Sequence, residues 1–446
     1  MPPVVFTIVA LDGRTDIIDS TKTSSLDEKV AGLEEGQKAP EPTNYKLSVL
    51  IACSVAVSIT QGAIPLLPFA CLVTNMGRLG WGLIFGVFQP WFKAHLLQEG
   101  MSEALMVLLP AEQAMFAFMT GSMSGRLGDR FGHIPFIIVG SIVFVSSILG
   151  CAFDSHLQHV YATQVFQGVG AGLIYPPCLA IAVKSWGSRR SFVNSVMMIG
   201  IPIYAAFATL VSRAILTRFG YRIMFLAFTG LHFILLLASL VPIITAPSPK
   251  RLPAILWIDM AVVKDKRFWC LAISVAFAAF ALLPPFVFIS VYTIDSLPLI
   301  SLQLSVVPLA MLNIFSAFGR TMAALLVNHI GARATFVGVL CLAASSQVIW
   351  AFAGSSFPLI MLYACLNGAV GATFLSVLPS LAGSLFPEAN KTSLMGSLVL
   401  FAAPGSFLGP FIFVKILHSL KMGWGYTALC SSAFQLAAAS FALFAR

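Results

Sequence analysis

The amino-acid sequence predicts an all-α membrane protein with twelve transmembrane helices in two pseudo-symmetric bundles of six. Hydrophobic residues make up 58 % of the 446-residue chain and charged residues 10 %, with a mean hydropathy of +0.92. Soluble domains carry about 25 % charged residues. The apolar runs are continuous, as helices in lipid require, and do not alternate as barrel strands do. A charged, glycine-containing loop also recurs in the second half of the chain.

Polar segments divide the chain into four regions. Residues 1–44 are polar and contain Pro, Ser and Thr, which predicts a disordered cytoplasmic tail. Residues 45–244 and 268–446 each hold six apolar spans, and a cytoplasmic linker over 245–267 connects them. The predicted spans are 46–92, 103–124, 135–153, 158–182, 193–215, 221–244, 268–291, 298–325, 335–353, 357–384, 393–417 and 424–444.

The first predicted span is irregular. The stretch from Lys46 to Phe92 is too long for one helix and too broken for two, because residues 61–80 interrupt it with prolines and an Asn-Met-Gly turn. We favour an insertion at 61–80, since the flanking apolar stretches would otherwise join into one ordinary helix. The alternative is a true extra hairpin or a re-entrant segment.

Basic residues set the predicted orientation. With the tail in the cytoplasm, the inner loops hold most of the loop Lys and Arg residues, as cytoplasmic loops usually do. We therefore expect a multi-pass protein, in the plasma membrane, with both termini in the cytoplasm. The net charge of +9 follows from this topology, so we expect no nucleic-acid partner.

A charged loop between the second and third spans stands out in this apolar chain. The stretch GSMSGRLGDRFGHIPF places Arg126, Asp129 and Arg130 close to Gly125 and Gly132. The glycines permit a tight turn and close helix approach. Asp129 can accept hydrogen bonds from helix N-terminal amides or pair with an arginine. We interpret the loop as a latch that favours one conformation over another.

The same loop is repeated in the second half. In GRTMAALLVNHIGAR, placing Gly331 over Gly132 places Asn328 over Asp129, at an offset of 199 residues. Each copy lies between the second and third spans of its own set of six. Such an internal repeat is typical of a transporter built from two halves. We therefore include Asn328 and Gly331 in the predicted latch.

With these motifs, the sequence resembles the major facilitator superfamily over about residues 46–446. GRLGDRFG resembles the signature loop of that family. The stretches that resemble its fungal monocarboxylate-porter-like branch are WGLIFGVFQ (81–89), QGVGAGLIYPPCLAIAVKSW (167–186), RRSFVNSVMMIGIPI (189–203), FGYR (219–222) and FGR (318–320). The resemblance implies an alternating-access carrier with a substrate cavity between two six-helix halves, and often proton coupling to carboxylate substrates.

The resemblance also has departures. Arg320 matches the arginine that animal monocarboxylate carriers have in span eight. Ser316 stands where those carriers have an aspartate, and no lysine lies in the apolar part of span one. The proton-coupled, lactate-like mechanism that the family implies therefore lacks two of its matching residues here.

Ionisable groups within spans are functional candidates because they are costly there. Arg320 is the leading candidate to pair with an anionic substrate; snorkelling to the interface and structural pairing are the alternatives. Glu112 is the leading candidate for a proton carrier, and an interhelical hydrogen bond is the alternative. Arg213 and His232 are weaker candidates. Residues that line the cavity or, alternatively, join helices are Gln164, Gln167, Asn194, Asn313, Gln347, Asn367, Tyr175 and Tyr204.

The sequence offers no catalytic set, metal site or cofactor site. The eight cysteines lie in apolar segments without metal-ligand spacing, and GVGAGL lies inside an apolar helix, where small residues serve packing. We expect a monomeric, non-enzymatic secondary carrier that moves a small organic anion of the monocarboxylate type through the lipid bilayer, with protons as the candidate co-substrate. The alternatives are an exporter of a hydrophobic secondary metabolite and a non-transporting membrane sensor on the same fold.

Overall fold

The computed structural model describes residues 82–96, 103–153, 157–185, 190–244, 257, 260–419 and 423–445, and these residues form helices without any β-strand. The predicted tail and the proposed insertion at 61–80 lie outside the described residues. Nine helical stretches among those described are long and apolar enough to cross a membrane. Large apolar side chains, such as those of Phe207, Phe318 and Leu342, are exposed on the helices. Both features fit helices surrounded by lipid.

The first half begins with a 3₁₀ helix at Gly82–Val87. The helices that follow are α1 (Gln89–Leu96), α2 (Glu103–Phe131), α3 (His133–Cys151), α4 (Leu157–Ser185) and α5 (Arg190–Ile244). α5 consists of two arms that meet at Gly220, whose φ of 83° and ψ of 176° are not helical. Only glycine adopts such a conformation without strain. Predicted spans five and six are therefore the two arms of α5.

The second half continues the pattern. Its helices are α6 (Met260–Val263), α7 (Lys266–Phe280), α8 (Leu283–Ser296), α9 (Val307–Ile330), α10 (Ala332–Phe352), α11 (Phe357–Gly371), α12 (Phe374–Leu385), α13 (Lys391–Leu400), α14 (Ala402–Val414) and α15 (Gly423–Phe444). Predicted spans seven, ten and eleven are each interrupted once. Pro284 and Pro285 stand at the start of α8, where their missing N–H groups are tolerated.

The eighth predicted span begins too early. Its predicted start is residue 298, whereas a short 3₁₀ turn begins at Leu304 and α9 begins at Val307. Leu299 is fully exposed in the preceding loop. Pro308 explains the boundary, because proline favours the first turn of a helix.

The two turns that the sequence aligns have the same backbone geometry. Gly132 has φ 101° and ψ 145°, and Gly331 has φ 85° and ψ 156°. The N–H of Gly132 donates to the Gly128 carbonyl oxygen at 2.9 Å, and that of Gly331 donates to the Val327 carbonyl oxygen at 3.1 Å. Each glycine follows one long helix and directly precedes the next. The loop repeat in the sequence is therefore also a repeat in the structure.

A close helix contact repeats at the same offset. A Cβ atom added to Gly168 of α4 would overlap the Gln113 carbonyl oxygen of α2. One added to Gly368 of α11 would overlap the Leu312 carbonyl oxygen of α9. These contacts are equivalent under the repeat to within one residue. They also support the interpretation of GVGAGL as a helix-packing segment, since small residues let membrane helices approach closely.

Two helix interfaces that the repeat relates join the halves, and the 3₁₀ helix at Gly82–Val87 also packs against α8 of the second half. α2 packs against α13 and α14, and the first arm of α5 packs against α9. In the predicted order these are spans two with eleven and five with eight. Because the repeat relates span two to span eight and span five to span eleven, the two interfaces are equivalent. This arrangement is that of two pseudo-symmetric bundles.

Successive long helices run in alternate directions, which defines two faces. The turns at Gly132 and Gly331 lie on one face, which we call the latch face. They do so because α2 runs parallel to α4, and the first arm of α5, which follows α4, runs antiparallel to α9. The kink at Gly220 and the loop at 297–303 lie on the opposite face. The sequence predicts that the latch face is cytoplasmic.

Candidate functional site

Arg320 lies at the interface between the halves. It belongs to α9, and only 6 % of its surface is exposed. Its Nη1 atom lies 3.4 Å from both the carbonyl oxygen and the Sδ atom of Met198 in α5, and its Nε atom lies 3.4 Å from the Ser316 Oγ atom. The ion pairs between described residues are Asp129 with His133 and Asp265 with Arg267. Arg320 is thus buried without a carboxylate partner in the described part of the chain.

Pro202 explains why the Met198 carbonyl is available. In an α-helix, a carbonyl oxygen accepts from the N–H four residues later, and proline has no N–H. Pro202 therefore leaves the Met198 carbonyl without its helical donor, and the Arg320 guanidinium lies beside it. Met198 is not among the residues that the sequence predicts for the site. A proline four residues later does indicate a carbonyl oxygen without its helical donor, which a side chain of a neighbouring helix can bind.

The same relationship occurs inside the first half. Pro176 of α4 leaves the Gly172 carbonyl without a helical donor. The Ser124 hydroxyl of α2 donates to that carbonyl at 2.7 Å. In both cases a polar side chain from a neighbouring helix satisfies a carbonyl that proline has freed.

Tyr175 of α4 lies in the same cluster. Its hydroxyl is 3.5 Å from the Met198 Sδ atom, and it is close enough to Arg320 for an electrostatic interaction. Of the predicted cavity residues, the structure therefore brings Arg320 and Tyr175 together, with Met198 between them. Asn313, Ser316 and Arg320 are spaced by three and four residues on α9, so they share one face of that helix.

Asn313 and Gln164 are buried, but neither has a partner across the interface in the described residues. The Asn313 Nδ2 atom donates to the Leu309 carbonyl oxygen at 3.0 Å within α9, and its Oδ1 atom has no hydrogen-bond partner there. The side chain of Asn194 lies outside the described part. Asn313 therefore offers a free acceptor two helical turns from Arg320.

Several other predicted cavity residues join helices within one half. Each forms a hydrogen bond to a buried neighbour, as the alternative interpretation expects. The pairs are Gln167 with Cys151 at 3.3 Å, Asn367 with Ser346 at 2.9 Å, Gln347 with Tyr363 at 3.3 Å, and Tyr204 with His232 at 3.1 Å. None of these hydrogen bonds involves Arg320 or a described residue that bonds to it.

Glu112 lies in α2, two residues after Pro110. Its Oε1 atom is buried and has no hydrogen-bond partner among the described residues. Tyr161 of α4 is close enough for an electrostatic interaction, and the Tyr161 hydroxyl donates to the Leu105 carbonyl oxygen at 2.6 Å. The alternative to a proton-carrying role for Glu112 is an interhelical hydrogen bond, and its Oε1 atom forms none with the described residues.

Arg126 joins the two halves at the latch face. Only 7 % of it is exposed, and its Nη2 atom donates to the Ser393 carbonyl oxygen at 2.9 Å and to the Ser397 hydroxyl at 2.7 Å. Both acceptors belong to α13. A Cβ atom added to Gly396 would lie 2.9 Å from the Ser122 carbonyl oxygen and 3.1 Å from the Arg126 Nε atom. Gly396 therefore allows α13 to approach α2.

The other predicted latch residues have local partners or exposed side chains. Asp129 pairs with His133, with 3.5 Å between Oδ1 and Nε2, rather than with an arginine or a helix amide. The Arg130 guanidinium lies 5.4 Å from the centroid of the Phe131 ring. Asn328 is exposed, and Gly125 lies between α4 and α13, where an added Cβ atom would contact Pro176 and Thr392. Arg126 is the charged latch residue that bonds to the opposite half.

The sequence is similar to several known proteins. It matches the family model of the Major Facilitator Superfamily over residues 70–410. It is 26 % identical to the MFS transporter asaE of Aspergillus flavus, over 84 % of each chain. It is 26 % identical to the Fujikurins efflux protein of Gibberella fujikuroi, over 77 % of this chain and 74 % of that one. Monocarboxylate transporter 4 of Mus musculus is 23 % identical over 49 % of this chain and 52 % of its own.

The fold is similar to that of a solved transporter. A bacterial homologue of the human lysosomal transporter Spinster, crystallised in an inward-facing and unoccupied conformation, superimposes with a TM-score of 0.67. It is 15 % identical and covers 86 % of this chain and 97 % of its own, so the likeness concerns the fold. The relatives support the monocarboxylate-like branch that the motifs indicate. Because the family model covers most of the chain, this protein belongs to the Major Facilitator Superfamily of multi-pass membrane transporters.

Proposed function

We propose that this protein is a secondary carrier that moves a small organic anion, of the monocarboxylate type, by alternating access, and that Arg320 binds the anion. The position of Arg320 is the observation that carries the proposal. Its guanidinium is buried between α5 and α9, which belong to opposite halves, and it lacks a carboxylate partner in the described residues. A buried charge without a counterion is costly. The carboxylate of a solute supplies that counterion in a geometry that guanidinium matches well.

The other buried charges favour the same substrate class. Within the described part of the chain, Arg126, Arg213 and Arg320 are buried, whereas each described Asp and Glu side chain is at least partly exposed. The interior of this part therefore carries an excess of positive charge. Such a field attracts anions and repels cations.

Neutral polar groups beside Arg320 are placed to orient the solute. Ser316 and the unpaired Oδ1 atom of Asn313 share a face of α9 with Arg320. Tyr175 contributes a hydroxyl from α4. We assign these residues to substrate orientation, and we assign Gln167, Asn367 and Tyr204 to helix packing on the basis of their hydrogen bonds.

We further propose that Glu112 carries the coupled proton. Its Oε1 atom has no donor in the described residues, so the carboxyl can take up a proton there without breaking a hydrogen bond. Ser316 stands where animal monocarboxylate carriers have an aspartate near this arginine. We therefore assign the proton-carrying role to a carboxyl group in another helix. Protonation of Glu112 would balance the charge that the anion brings.

Uptake into proteoliposomes tests the function. Purified protein is reconstituted, and the uptake of radiolabelled acetate, lactate, pyruvate and benzoate is followed under an inward proton gradient, with and without an uncoupler. We expect uptake of at least one anion, a decrease with the uncoupler, and loss in the Arg320→Ala variant. The exposed Arg218→Ala variant is the matched control. Absence of uptake of every anion would remove this proposal and leave the exporter and sensor alternatives.

The second candidate function is export of a hydrophobic secondary metabolite. The observation that favours it is the 26 % identity to a protein named Fujikurins efflux protein. Metabolite retention in a deletion strain separates the two candidates, because an exporter mutant accumulates the compound inside the cell. A mutant in the importer instead shows reduced uptake of the anion.

We also propose the membrane arrangement that the basic loops predict. The latch face lies in the cytoplasm, both termini are cytoplasmic, and a monomer in the plasma membrane is the working unit. Protease protection of tags at each terminus in intact cells tests the orientation. Cleavage of either tag from outside the cell would contradict it.

A further inference from the structure

We propose that Arg213 is a gating residue that closes the face opposite the latch by bonding the first half of the protein to the second. This inference rests on the alternating-access part of the proposed function. It does not depend on the identity of the solute.

Arg213 has the position that a gate requires. It lies in the first arm of α5, seven residues before the kink at Gly220, and only 4 % of it is exposed. Its Nε atom donates to the Leu302 carbonyl oxygen at 3.0 Å, in the loop that precedes α9. Its Nη1 atom lies 3.4 Å from the Val87 carbonyl oxygen at the end of the 3₁₀ helix. One guanidinium therefore connects both sides of the interface on this face.

The chemistry of the contact suits a reversible bond. Both acceptors are neutral backbone carbonyls, no ion pair reaches Arg213 from the described residues, and its Nη2 atom is buried there without a partner. An arginine with a carboxylate partner in the other half would hold the closed state more strongly. A charged donor bonded to neutral carbonyls holds this face closed. The bond is weak enough for the halves to separate when the solute shifts the equilibrium between the closed and open states.

The latch face has an equivalent contact. There Arg126, also from the first half, donates to the Ser393 carbonyl oxygen and the Ser397 hydroxyl of the second half. Both contacts are formed in this structure, so a buried arginine joins the halves on each face. Alternating access requires that one of them break while the other holds. Arg213 is therefore the counterpart of Arg126 on the opposite face.

Two further arginines near the kink provide matched controls. Arg218 is exposed, and Arg222 lies 4.8 Å from the centroid of the Phe153 ring within the first half. Neither contacts the second half in the described residues. Substitution of either one removes the same charge from the same face without removing a bond between the halves.

Distance measurements test the gate. Spin labels are attached to p-acetylphenylalanine at positions 217 and 299, so the native cysteines remain. Thr217 lies one turn after Arg213, and Leu299 lies in the loop that contains Leu302; both are exposed. Double electron–electron resonance is recorded on the full chain in nanodiscs without solute. We expect Arg213→Ala to raise the long-distance population several-fold and Arg218→Ala to match the wild type.

A conservative variant keeps the test decisive if Arg213→Ala does not fold. Arg213→Lys retains the charge but cannot reach two carbonyls with a fixed fork of donors, so we expect an intermediate shift. Folding is checked by size-exclusion chromatography and thermal unfolding. A wild-type distance distribution in folded Arg213→Lys and Arg213→Ala would overturn the proposal.

The readout separates this inference from the anion proposal. The distances are recorded without solute, so they do not depend on whether an anion binds at Arg320. If anion uptake fails but Arg213→Ala shifts the distances, the gate stands and the anion proposal falls. If uptake depends on Arg320 but Arg213→Ala leaves the distances unchanged, the anion proposal stands and the gate proposal falls.

Discussion

The guanidinium of Arg320 lies 3.4 Å from the carbonyl oxygen of Met198 in the opposite half of the protein. That carbonyl lacks its helical donor because Pro202 follows four residues later. A contact of this length to a neutral acceptor is weak, and a carboxylate is a better acceptor for a guanidinium. An entering anion can therefore replace the carbonyl, and the carbonyl can take back the guanidinium when the anion leaves. The Arg320 guanidinium thus has a hydrogen-bond acceptor both with and without the bound anion.

Replacement of Arg320 should weaken anion binding strongly. A hydrogen bond to a charged group contributes about 1.5–3 kcal/mol, which corresponds to roughly a tenfold or greater change in affinity. We expect Arg320→Ala to lose uptake by that factor or more, while Arg320→Lys retains part of it. Anion-dependent thermal stabilisation of the purified variants measures this directly. Equal stabilisation of Arg320→Ala and wild type by the anion would remove Arg320 from the site.

Restoring the missing helical donor should strengthen anion binding. Pro202→Ala supplies an N–H to the Met198 carbonyl, which removes the competing acceptor from Arg320. We expect a lower KM for the anion by a few-fold, since a single neutral hydrogen bond contributes about 0.5–1.5 kcal/mol. The control is Pro176→Ala, which makes the same change at a carbonyl served by Ser124. If both variants have the same KM, the link between Met198 and Arg320 is wrong.

Substitution of Glu112 should uncouple transport from the proton gradient. Glu112→Gln keeps the shape of the side chain but cannot exchange a proton. We expect loss of gradient-driven accumulation with retained exchange of anion for anion across the membrane. The two activities are measured in the same proteoliposomes by imposing either a pH gradient or an internal anion load. Retained accumulation in the variant would show that another group carries the proton.

Substitution of Asp129 should slow turnover without changing affinity. Asp129 pairs with His133 at the turn on the latch face and makes no contact with Arg320 among the described residues. We expect Asp129→Ala to lower kcat and to leave KM close to that of the wild type. Initial rates of uptake over a range of anion concentrations separate these parameters. A change confined to KM would place Asp129 in substrate binding instead.

Packing at Gly319 should determine folding. A Cβ atom at this position of α9 would overlap the Ala369 carbonyl of α11, and overpacking of a tight interface costs about 1–3 kcal/mol or more. We expect Gly319→Ala to lower the melting temperature and the yield of folded protein. Gly338→Ala is the control, because nothing lies within 4 Å of an added Cβ atom there. Equal melting temperatures for the two variants would contradict the close approach of α9 and α11.

The sequence predicts those features of the fold that depend on local composition. The helices follow from apolar runs of membrane length, and the turns at Gly132 and Gly331 follow from a repeated glycine that needs a positive φ. The sequence predicts the start of α9 too early because Leu299, Ile300 and Leu302 extend the apolar run, although residues 298–303 form a loop. Hydropathy alone does not separate an apolar loop from the helix that follows it.

The sequence is less informative about the site because partners are far apart along the chain. Arg126 bonds to Ser393 and Ser397, which no spacing within a single sequence connects to it. Because they are polar residues in apolar helices, Gln167 and Asn367 are predicted to line the cavity just as Arg320 is. In the structure these two residues instead join helices within one half. The sequence does indicate Arg320 as a binding residue, because a buried cation in an apolar helix needs a counterion. A buried amide needs only a hydrogen-bond partner on a neighbouring helix, so it is a weaker indication of a site.

Anion transport that depends on Arg320 is tested by a counterflow measurement with a charged and a neutral solute of the same shape. Proteoliposomes loaded with unlabelled benzoate are diluted into a trace of labelled benzoate, and a parallel sample uses benzamide. We expect transient accumulation of labelled benzoate by the wild type, none by Arg320→Ala, and none of benzamide by either. Equal accumulation of benzoate by both proteins, or equal accumulation of benzamide and benzoate by the wild type, would contradict an anion carrier that depends on Arg320.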